Sequence, residues 1–74
     1  MKPRQSLSLV AGANLKRLIK EAGLTQKEAA YKLGYGDDRQ IRRLIKNGIR
    51  NIDEIKRIAD TFDVSYTELL KPLD

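Results

Sequence analysis

Apolar residues along the chain recur at the three- and four-residue spacing of an amphipathic helix. The first such stripe predicts a helix that begins near Ser8, is capped by Ser6 or Ser8, and ends at Gly23. Its apolar members are Leu9, Leu15, Leu18, Ile19 and Ala22. Gly12 interrupts the stripe and costs about 1 kcal/mol of helix propensity relative to alanine. We therefore expect another helix to approach this one closely at Gly12.

Capping signals indicate four further helices. In a capping box, a Ser, Thr, Asp or Asn at the helix start accepts a bond from a free backbone N–H, and a Glu or Gln three residues later reaches back. The matching pairs are Thr25 with Glu28, Asp37 with Gln40, Asn51 with Glu54, and Ser65 with Glu68. Gly34, Gly48 and Pro72 mark helix ends. Because no stretch keeps a strand's alternation, the sequence predicts an all-α domain of five short helices.

The third and fourth predicted helices have well-defined faces. In the helix over 38–47, one face is apolar and the opposite face is cationic. The inner residues are Ile41, Leu44 and Ile45, and the outer ones are Arg39, Arg42, Arg43 and Lys46. The stripe of the fourth helix comprises Ile52, Ile55, Ile58, Ala59 and Phe62. We expect both apolar faces to be buried.

Several apolar and aromatic residues fall outside these stripes. Ile49, Leu70 and Leu73 are apolar residues that the core need not bury, so they are candidates for a contact between two copies of the chain. Tyrosines near a helix crossing commonly pack with the hydroxyl in water. We interpret Tyr31 as structural, and Tyr35 stays open between packing and contact with a base or phosphate.

The composition argues against several classes of protein. The chain has 74 residues, enough for one domain, and contains neither cysteine nor histidine. The usual general base and the commonest metal ligand are therefore missing. We expect no enzyme, no metal or other cofactor and no small-molecule substrate. No apolar run reaches the roughly 18 residues that a membrane span needs, so we expect a cytoplasmic protein without membrane insertion.

Positive charge is concentrated in the first two thirds of the chain. The net charge is +5, and residues 1–50 hold twelve Lys or Arg against four Asp or Glu, whereas residues 51–74 hold three against six. This asymmetry favours a basic face for a polyanion, although charge alone fits RNA, DNA or an anionic membrane. We interpret residues 1–7 as a flexible basic arm and 8–74 as a single domain.

The cations of the third helix admit two interpretations. Outward cations on a helix are usually a solvated face, but such a face normally mixes signs, and residues 39–50 hold five cations and no acid. The spacing around them also suits a helix-turn-helix, which needs a small residue in the first helix, a turn glycine and branched apolar residues in the second. These are Ala30, Gly34, Ile41 and Leu44. Because the second helix of this motif lies in the major groove, we favour DNA as the anion.

Three segments of the chain carry a family resemblance. They read GANLKRLIKEAGLTQKEAAYKLG, IRRLIKNG and NIDEIKRIADTFDVSYTELL. Over about residues 9 to 71 the chain resembles the lambda-repressor and Cro (XRE-type) helix-turn-helix family, whose Gln, Ala and Gly at intervals of four are met by Gln26, Ala30 and Gly34. Its closing segment is matched by Ile55, Ile58, Ala59, Phe62, Val64, Ser65 and Leu69. The resemblance implies a compact five-helix, lambda-repressor-like domain with a central helix-turn-helix.

The chain departs from the family pattern in four places. The turn around Tyr35 to Asp37 carries one extra residue, so we expect the recognition helix to enter the groove differently. Lys46 stands where the family usually has an acidic residue, and Ile19 stands where an arginine is common. The loop over 48–51 is shorter than usual.

With that extra residue allowed for, the family's base-reading positions fall at the start of the third helix. Arginine can hold guanine through two hydrogen bonds, whereas aspartate only accepts, for example from cytosine. The predicted base-reading residues are Arg39, Arg42, Arg43 and Asp38, and Asp37 is interpreted as the helix cap rather than as part of a metal or catalytic pair. The predicted phosphate-contacting residues are Gln26, Lys27, Gln40, Lys46, Arg50 and Tyr35.

The resemblance also implies a function. It favours a sequence-specific regulator of transcription, a repressor, that binds double-stranded DNA as a homodimer and inserts the helix over 38–47 in the major groove. The alternative is a protein-interaction module on the same fold, such as an antitoxin or an RNA polymerase modulator, with little direct reading of DNA. The altered turn and the acids beside Arg39 keep this alternative open.

Overall fold

Residues 6–72 are described by the computed structural model, and they form five α-helices joined by short turns. The helices are α1 (Leu7–Glu21), α2 (Gln26–Leu33), α3 (Arg39–Asn47), α4 (Ile52–Thr61) and α5 (Tyr66–Leu70). Within this range there is no strand, which confirms the predicted all-α architecture, and no helix combines the length and apolar character needed to cross a bilayer. Residues 1–5 of the predicted arm, and Leu73 and Asp74, lie outside the described part of the chain.

The start of α1 agrees with the prediction of a helix that begins near Ser8, and Ser6 rather than Ser8 is the cap. The Ser6 hydroxyl accepts a hydrogen bond from the Ser8 backbone N–H at 3.3 Å, so Ser6 is the N-cap and Leu7 is the first helical residue. Leu7, which the sequence placed in the arm, is therefore part of α1.

The buried face of α1 is rotated relative to the predicted stripe. Leu15, Leu18 and Ile19 are buried as expected, but Leu9 is 47% exposed and Ala22 is also exposed, so the prediction is wrong for these two. The inward positions of the first two turns are instead Val10, Ala11, Gly12 and Asn14. Helix α1 packs against both α3 and α5, and these two neighbours together select its buried positions.

Backbone contact between α1 and α3 is made possible by glycine. A Cβ atom at Gly12 would overlap the carbonyl oxygen of Leu44 and lie 3.2 Å from that of Ile45. At the end of α3, Gly48 has a φ of +96°, and a Cβ there would lie 2.8 Å from the backbone of Ser8. The expected close approach of a neighbouring helix at Gly12 is therefore confirmed, and that neighbour is α3.

The segment that follows α3 is hydrogen-bonded to α1 and packs against it. The Ile49 backbone N–H donates to the Ser8 carbonyl at 2.8 Å, and the Ile49 side chain is only 1% exposed. The interpretation of Ile49 as a residue that the core need not bury is therefore wrong. It is buried because the hydrogen bond to α1 draws the short connection over the core.

Asn14 fastens the other side of α1 to the end of α5. This buried side chain donates to the carbonyl oxygens of Leu69 and Lys71, both at 2.8 Å, and accepts from the Arg17 guanidinium at 3.2 Å. Asn14 thereby satisfies carbonyl groups at a helix end that would otherwise lack partners. Helix α5 ends at Leu70, as the position of Pro72 predicts.

Of the predicted capping boxes, the one at α2 forms in full. Thr25 accepts from the Glu28 N–H at 3.0 Å, and the Glu28 carboxylate accepts from the Thr25 N–H at 2.9 Å. The bond from the Thr25 backbone, followed by that from its hydroxyl, lowers the pKa of Glu28. At α4, Asn51 caps the backbone but the Glu54 carboxylate bonds elsewhere. At α5, Ser65 makes no side-chain cap bond, so that predicted box is wrong.

The apolar face of α4 is shorter than its sequence stripe. Ile58 and Ala59 are fully buried together with Leu69 of α5. Ile52 is 78% exposed, so its assignment to the core is wrong. As the first residue of α4, Ile52 directs its side chain back toward the helix N-terminus, past the part of the helix that has neighbours.

We expect Gly12→Ala to lower the free energy of unfolding by about 1–3 kcal/mol, because the added methyl group must displace the backbone of α3 rather than a flexible side chain. Helix propensity alone would give the opposite sign, a gain of about 1 kcal/mol. Gly36→Ala is the matched control, since nothing lies within 4 Å of a Cβ there. Urea unfolding followed by circular dichroism measures both variants, and a Gly12→Ala variant as stable as wild type would contradict the close contact.

Candidate nucleic-acid interface

Helices α2 and α3 are joined by a tight, glycine-centred turn. Gly34 follows α2 in the left-handed conformation, with φ of +83°, and the Tyr35 N–H donates to the Ala30 carbonyl at 2.8 Å. This pairing is typical of a Schellman helix end. Ala30 is 1% exposed and Ile41 of α3 is fully buried in the same core cluster. The small side chain of Ala30 therefore lets α3 cross α2 closely, as a helix-turn-helix requires.

The cationic face predicted for α3 is present at the surface. Arg39, Arg42, Arg43 and Lys46 are all exposed. The Arg39 and Arg42 side chains are 83% and 62% accessible, respectively. Ile41 and Leu44 hold the opposite face of the helix in the core, so the cations can meet a ligand without any rearrangement of the fold.

A shallow groove runs beside α3 and continues past its end. Its lining includes Gln40, Arg43, Lys46 and Arg50, together with Leu9 of α1. The structure thus brings four of the predicted DNA-contacting residues to one concave surface. Arg50 reaches this surface because Ile49 turns inward beside it, which places the next side chain outside.

Two of the predicted reading arginines are paired with the acids before α3. Asp37 accepts the Arg39 backbone N–H at 2.9 Å through one carboxylate oxygen and contacts the Arg39 guanidinium at 3.0 Å through the other. The bond from the Arg39 backbone, followed by that from its side chain, lowers the pKa of Asp37. Asp38 contacts the Arg42 guanidinium at 3.3 Å. Within residues 6–72, Arg43 is in no ion pair.

The capping role predicted for Asp37 is therefore partly confirmed. Its carboxylate takes the first free N–H of α3, although Asp38 occupies the N-cap position and makes no side-chain cap bond itself. The second half of the predicted box is wrong, because the Gln40 side chain makes no hydrogen bond back to Asp37. Helix α3 starts at Arg39, one residue later than predicted, with Asp38 as its N-cap residue.

Tyr35, in the turn between α2 and α3, is anchored to α4. Its hydroxyl donates to the Glu54 carboxylate at 2.6 Å, and the Arg57 guanidinium lies 6.0 Å from the centre of its ring. Arg57 also donates to the Leu33 carbonyl at 3.4 Å, at the end of α2. Burial, followed by the hydrogen bond to Glu54, raises the pKa of the Tyr35 hydroxyl. A phosphate contact by Tyr35 stays a prediction and would have to replace or share this hydrogen bond.

Sequence reasoning missed the roles of Glu54 and Arg57 in holding the turn. Glu54 has the spacing of a helix cap, and its actual partner lies nineteen residues earlier in the chain. The ion pair between Arg57 and Glu54 at 3.9 Å, three residues apart on α4, was the one contact of this group that sequence spacing could indicate.

Tyr31 was predicted to be a packed structural residue. The residue is 76% exposed, so this prediction is wrong.

The start of α2 forms a second part of the candidate interface. Gln26 is the first residue of α2 and lines a shallow depression with Lys16 and Lys20 of α1, and Lys27 beside it is exposed. Nothing in the sequence spacing of Lys16 and Lys20 links them to Gln26, so their place beside it was not predicted. No group of three or more Asp, Glu, His or Cys that could hold a metal ion occurs in the described part of the chain.

Comparison with known proteins identifies the family. The model of the helix-turn-helix family HTH_3 matches residues 15–69, so the chain belongs to this family. It is accordingly a DNA-binding protein of the helix-turn-helix class, which confirms the resemblance seen in its sequence.

One solved structure extends the likeness to almost the whole fold. The chain is similar to a protein described as the hypothetical transcription factor NHTF from Neisseria, with a TM-score of 0.79 and 20% sequence identity. The match covers 97% of this chain and 88% of that one. At this identity the likeness shows the fold alone. A search of curated proteins found no match.

We expect Tyr35→Phe to lower the free energy of unfolding by about 1 kcal/mol, because the Glu54 carboxylate loses its donor while the ring stays in place. A raised pKa means that the folded state keeps the hydroxyl proton better than the unfolded chain. This contribution is therefore complete below about pH 10, the usual tyrosine pKa, and is lost as the pH rises further. The stability difference between wild type and Tyr35→Phe should shrink accordingly.

Urea unfolding at neutral pH and at about pH 11, one unit above the usual tyrosine pKa, measures this difference. Tyr31→Phe is the matched control. Because Tyr31 is 76% exposed, the loss of its hydroxyl should change the free energy of unfolding little. If the two variants were equally stable at neutral pH, the anchoring role of the Tyr35 hydroxyl would be wrong.

Proposed function

We propose that the chain is a sequence-specific transcriptional repressor that binds double-stranded DNA by placing α3 in the major groove. The observation that carries this proposal is the exposed cationic face of α3 on a helix-turn-helix scaffold. The major groove is about 12 Å wide, enough to admit an α-helix. A protein seated over a promoter in this way prevents transcription by occupying the site.

Arginines at the start of α3 are proposed to read bases. Arg39, Arg42 and Arg43 lie within the first five positions of α3 and point away from the core. In docked helix-turn-helix motifs the N-terminal residues of the second helix face the base edges. Each guanidinium can hold guanine O6 and N7 together, which discriminates against a wrong base by about 1–3 kcal/mol. Asp38 can accept from cytosine N4 once Arg42 has left it for a base.

Residues flanking this reading set are proposed to hold phosphates. Gln40, Lys46 and Arg50 line the groove beside α3, and Gln26 lies at the N-terminus of α2, where free backbone N–H groups favour an anion. Lys27 is exposed one residue further on. Phosphate contacts at both helices would fix the register of α3 on the duplex and supply most of the salt-dependent affinity.

A homodimer is proposed because one such module offers few contacts for tight specific binding. An exposed apolar patch that could form the dimer contact is lined by Ile52 and Ile55 of α4 and by Tyr66 and Leu70 of α5. Ile52 is 78% exposed and Tyr66 52%, so burying them against a second copy would remove considerable apolar surface from water. Leu70 was a candidate from the sequence, whereas Ile49 belongs to the core and Leu73 lies outside the described residues.

A second candidate function is a protein-interaction module on the same fold. The ion pairs of Arg39 and Arg42 with the acids before α3 favour it, because they reduce the net positive charge that a phosphate backbone would meet. A module of this kind would bind neither heparin nor random duplex DNA. Retention on heparin, with binding to duplex DNA that falls as salt rises, supports the DNA-binding proposal instead.

We expect Arg42→Ala/Arg43→Ala to abolish discrimination between a duplex selected from a random pool and a scrambled duplex of the same length. Two lost guanine contacts at about 1–3 kcal/mol each correspond to a loss of at least about thirtyfold in this ratio. Mobility-shift titrations of both duplexes measure it. For the wild type, affinity should also fall steeply between about 50 and 200 mM salt.

The matched control is Lys32→Ala/Lys71→Ala, which removes the same charge from exposed positions outside α3. It should weaken binding to both duplexes about equally and leave the ratio unchanged. A ratio that survives the arginine replacements would show that α3 does not read sequence through these residues.

We expect Ile52→Asp to weaken self-association by about tenfold or more, because burying a large aliphatic side chain contributes about 1.5–3 kcal/mol. The fold should be unaffected, since Ile52 is exposed and an acid suits the first turn of a helix. Sedimentation equilibrium in the presence and absence of the selected duplex measures the change. Tyr31→Asp, on the exposed surface of α2, is the control, and equal self-association of the two variants would place the contact elsewhere.

A further inference from the structure

Two acidic residues stand directly before α3, at the end of the helix that is proposed to read bases. Asp37 and Asp38 directly precede Arg39, and the carboxylates hold the guanidinium groups of Arg39 and Arg42 at 3.0 and 3.3 Å. A negative charge beside a phosphate backbone opposes binding. These acids therefore call for a role that helix capping alone does not explain, because a neutral Ser or Asn would cap equally well.

The two oxygens of Asp37 do different things. One accepts the Arg39 backbone N–H at 2.9 Å, and the other contacts the Arg39 side chain at Nε, 3.1 Å away, and at the terminal nitrogen, 3.0 Å away. The guanidinium is thus tied to the start of its own helix. An arginine side chain otherwise has many rotamers, and limiting them before binding reduces the entropy lost when it meets a base.

The Asp37 carboxylate has different effects on the two groups that Arg39 could bind in DNA, a guanine base and a phosphate. Guanine offers neutral acceptor atoms, so a nearby carboxylate adds little repulsion when the arginine binds it. A phosphate is an anion, and an arginine bound to phosphate brings Asp37 close to a like charge. Complexes with random DNA depend almost entirely on phosphate contacts. Asp37 should therefore weaken them more than it weakens a complex in which Arg39 holds a base.

We propose that Asp37 is a positioning residue for Arg39 and raises the ratio of specific to non-specific DNA binding by holding this arginine toward bases and away from phosphates. The inference rests on the proposed DNA-reading function. Arg43, which is in no ion pair within residues 6–72, is not subject to this control.

The first test is Asp37→Asn, which keeps a side-chain oxygen for the Arg39 backbone N–H and removes the charge that holds the guanidinium. We expect affinity for a random duplex to rise and the ratio of affinities for selected and scrambled duplexes to fall by about threefold, the scale of one exposed ion pair. Asp60→Asn is the matched control, because it makes the same charge change on α4, outside the helix-turn-helix. It should leave the ratio unaltered.

A second variant guards against loss of the fold. Asp37→Ser also keeps a capping oxygen and should show the same fall in the ratio. Circular dichroism melting confirms that each variant is folded before its ratio is used. A ratio equal to that of wild type in the folded variants would overturn the proposal.

The decisive measurement repeats Asp37→Asn in an Arg39→Ala background. If Asp37 acts through Arg39, the replacement should change the ratio by less than about 1.5-fold there, because the partner is already gone. If the ratio falls as much as it does with Arg39 present, Asp37 acts through repulsion between its charge and the DNA phosphates, and the positioning role is wrong.

These outcomes are separable from failure of the proposed function. A wild-type chain that does not distinguish selected from scrambled duplexes removes the DNA-reading function and this inference with it. A wild-type chain that does distinguish them, and whose ratio depends on Arg42 and Arg43 but not on Asp37, overturns the inference alone.

Discussion

The backbone contact between α1 and α3 is the constraint on which the rest of the structure depends. Gly12 lets the carbonyl groups of Leu44 and Ile45 lie against α1, and Gly48 does the same for the end of α3 against Ser8. With one side of α3 held in this way, its opposite side can carry cations without disturbing the core. Helix α1 therefore supports the candidate interface from the side opposite to its cations.

The cations of α3 differ in their electrostatic surroundings. Its cations share one exposed face, yet the first two arginines are held by acids at the helix start, while Arg43 and Lys46 line the groove beside it. Under the proposed function, a face of this kind would attract the phosphates of DNA and would still favour contacts with neutral base edges. The hydrogen bond from Tyr35 to Glu54 also joins the turn before α3 to α4.

Several features that depend on neighbouring residues were predictable from the sequence, although the predicted Ser65–Glu68 box does not form. The number and order of the helices, the Thr25 box, the glycine at the end of α2 and the outward cations of α3 follow from spacing alone, because capping and helical periodicity act within a few residues. Features that depend on distant partners were not. Glu54 has the spacing of a cap but bonds to Tyr35. Ile49 lies outside the predicted apolar stripes but is buried in the core.

The sequence by itself therefore determined the class of protein, an all-α helix-turn-helix domain in which α3 is basic. These properties follow from residues that are close together in the chain. Only the tertiary structure decided which apolar residues face water, as at Ile52, and which distant polar groups meet, as at Tyr35 and Glu54. The physical reason is that burial depends on what packs against a helix. Periodicity shows that a face is apolar, but the neighbouring helices determine how much of that face is covered.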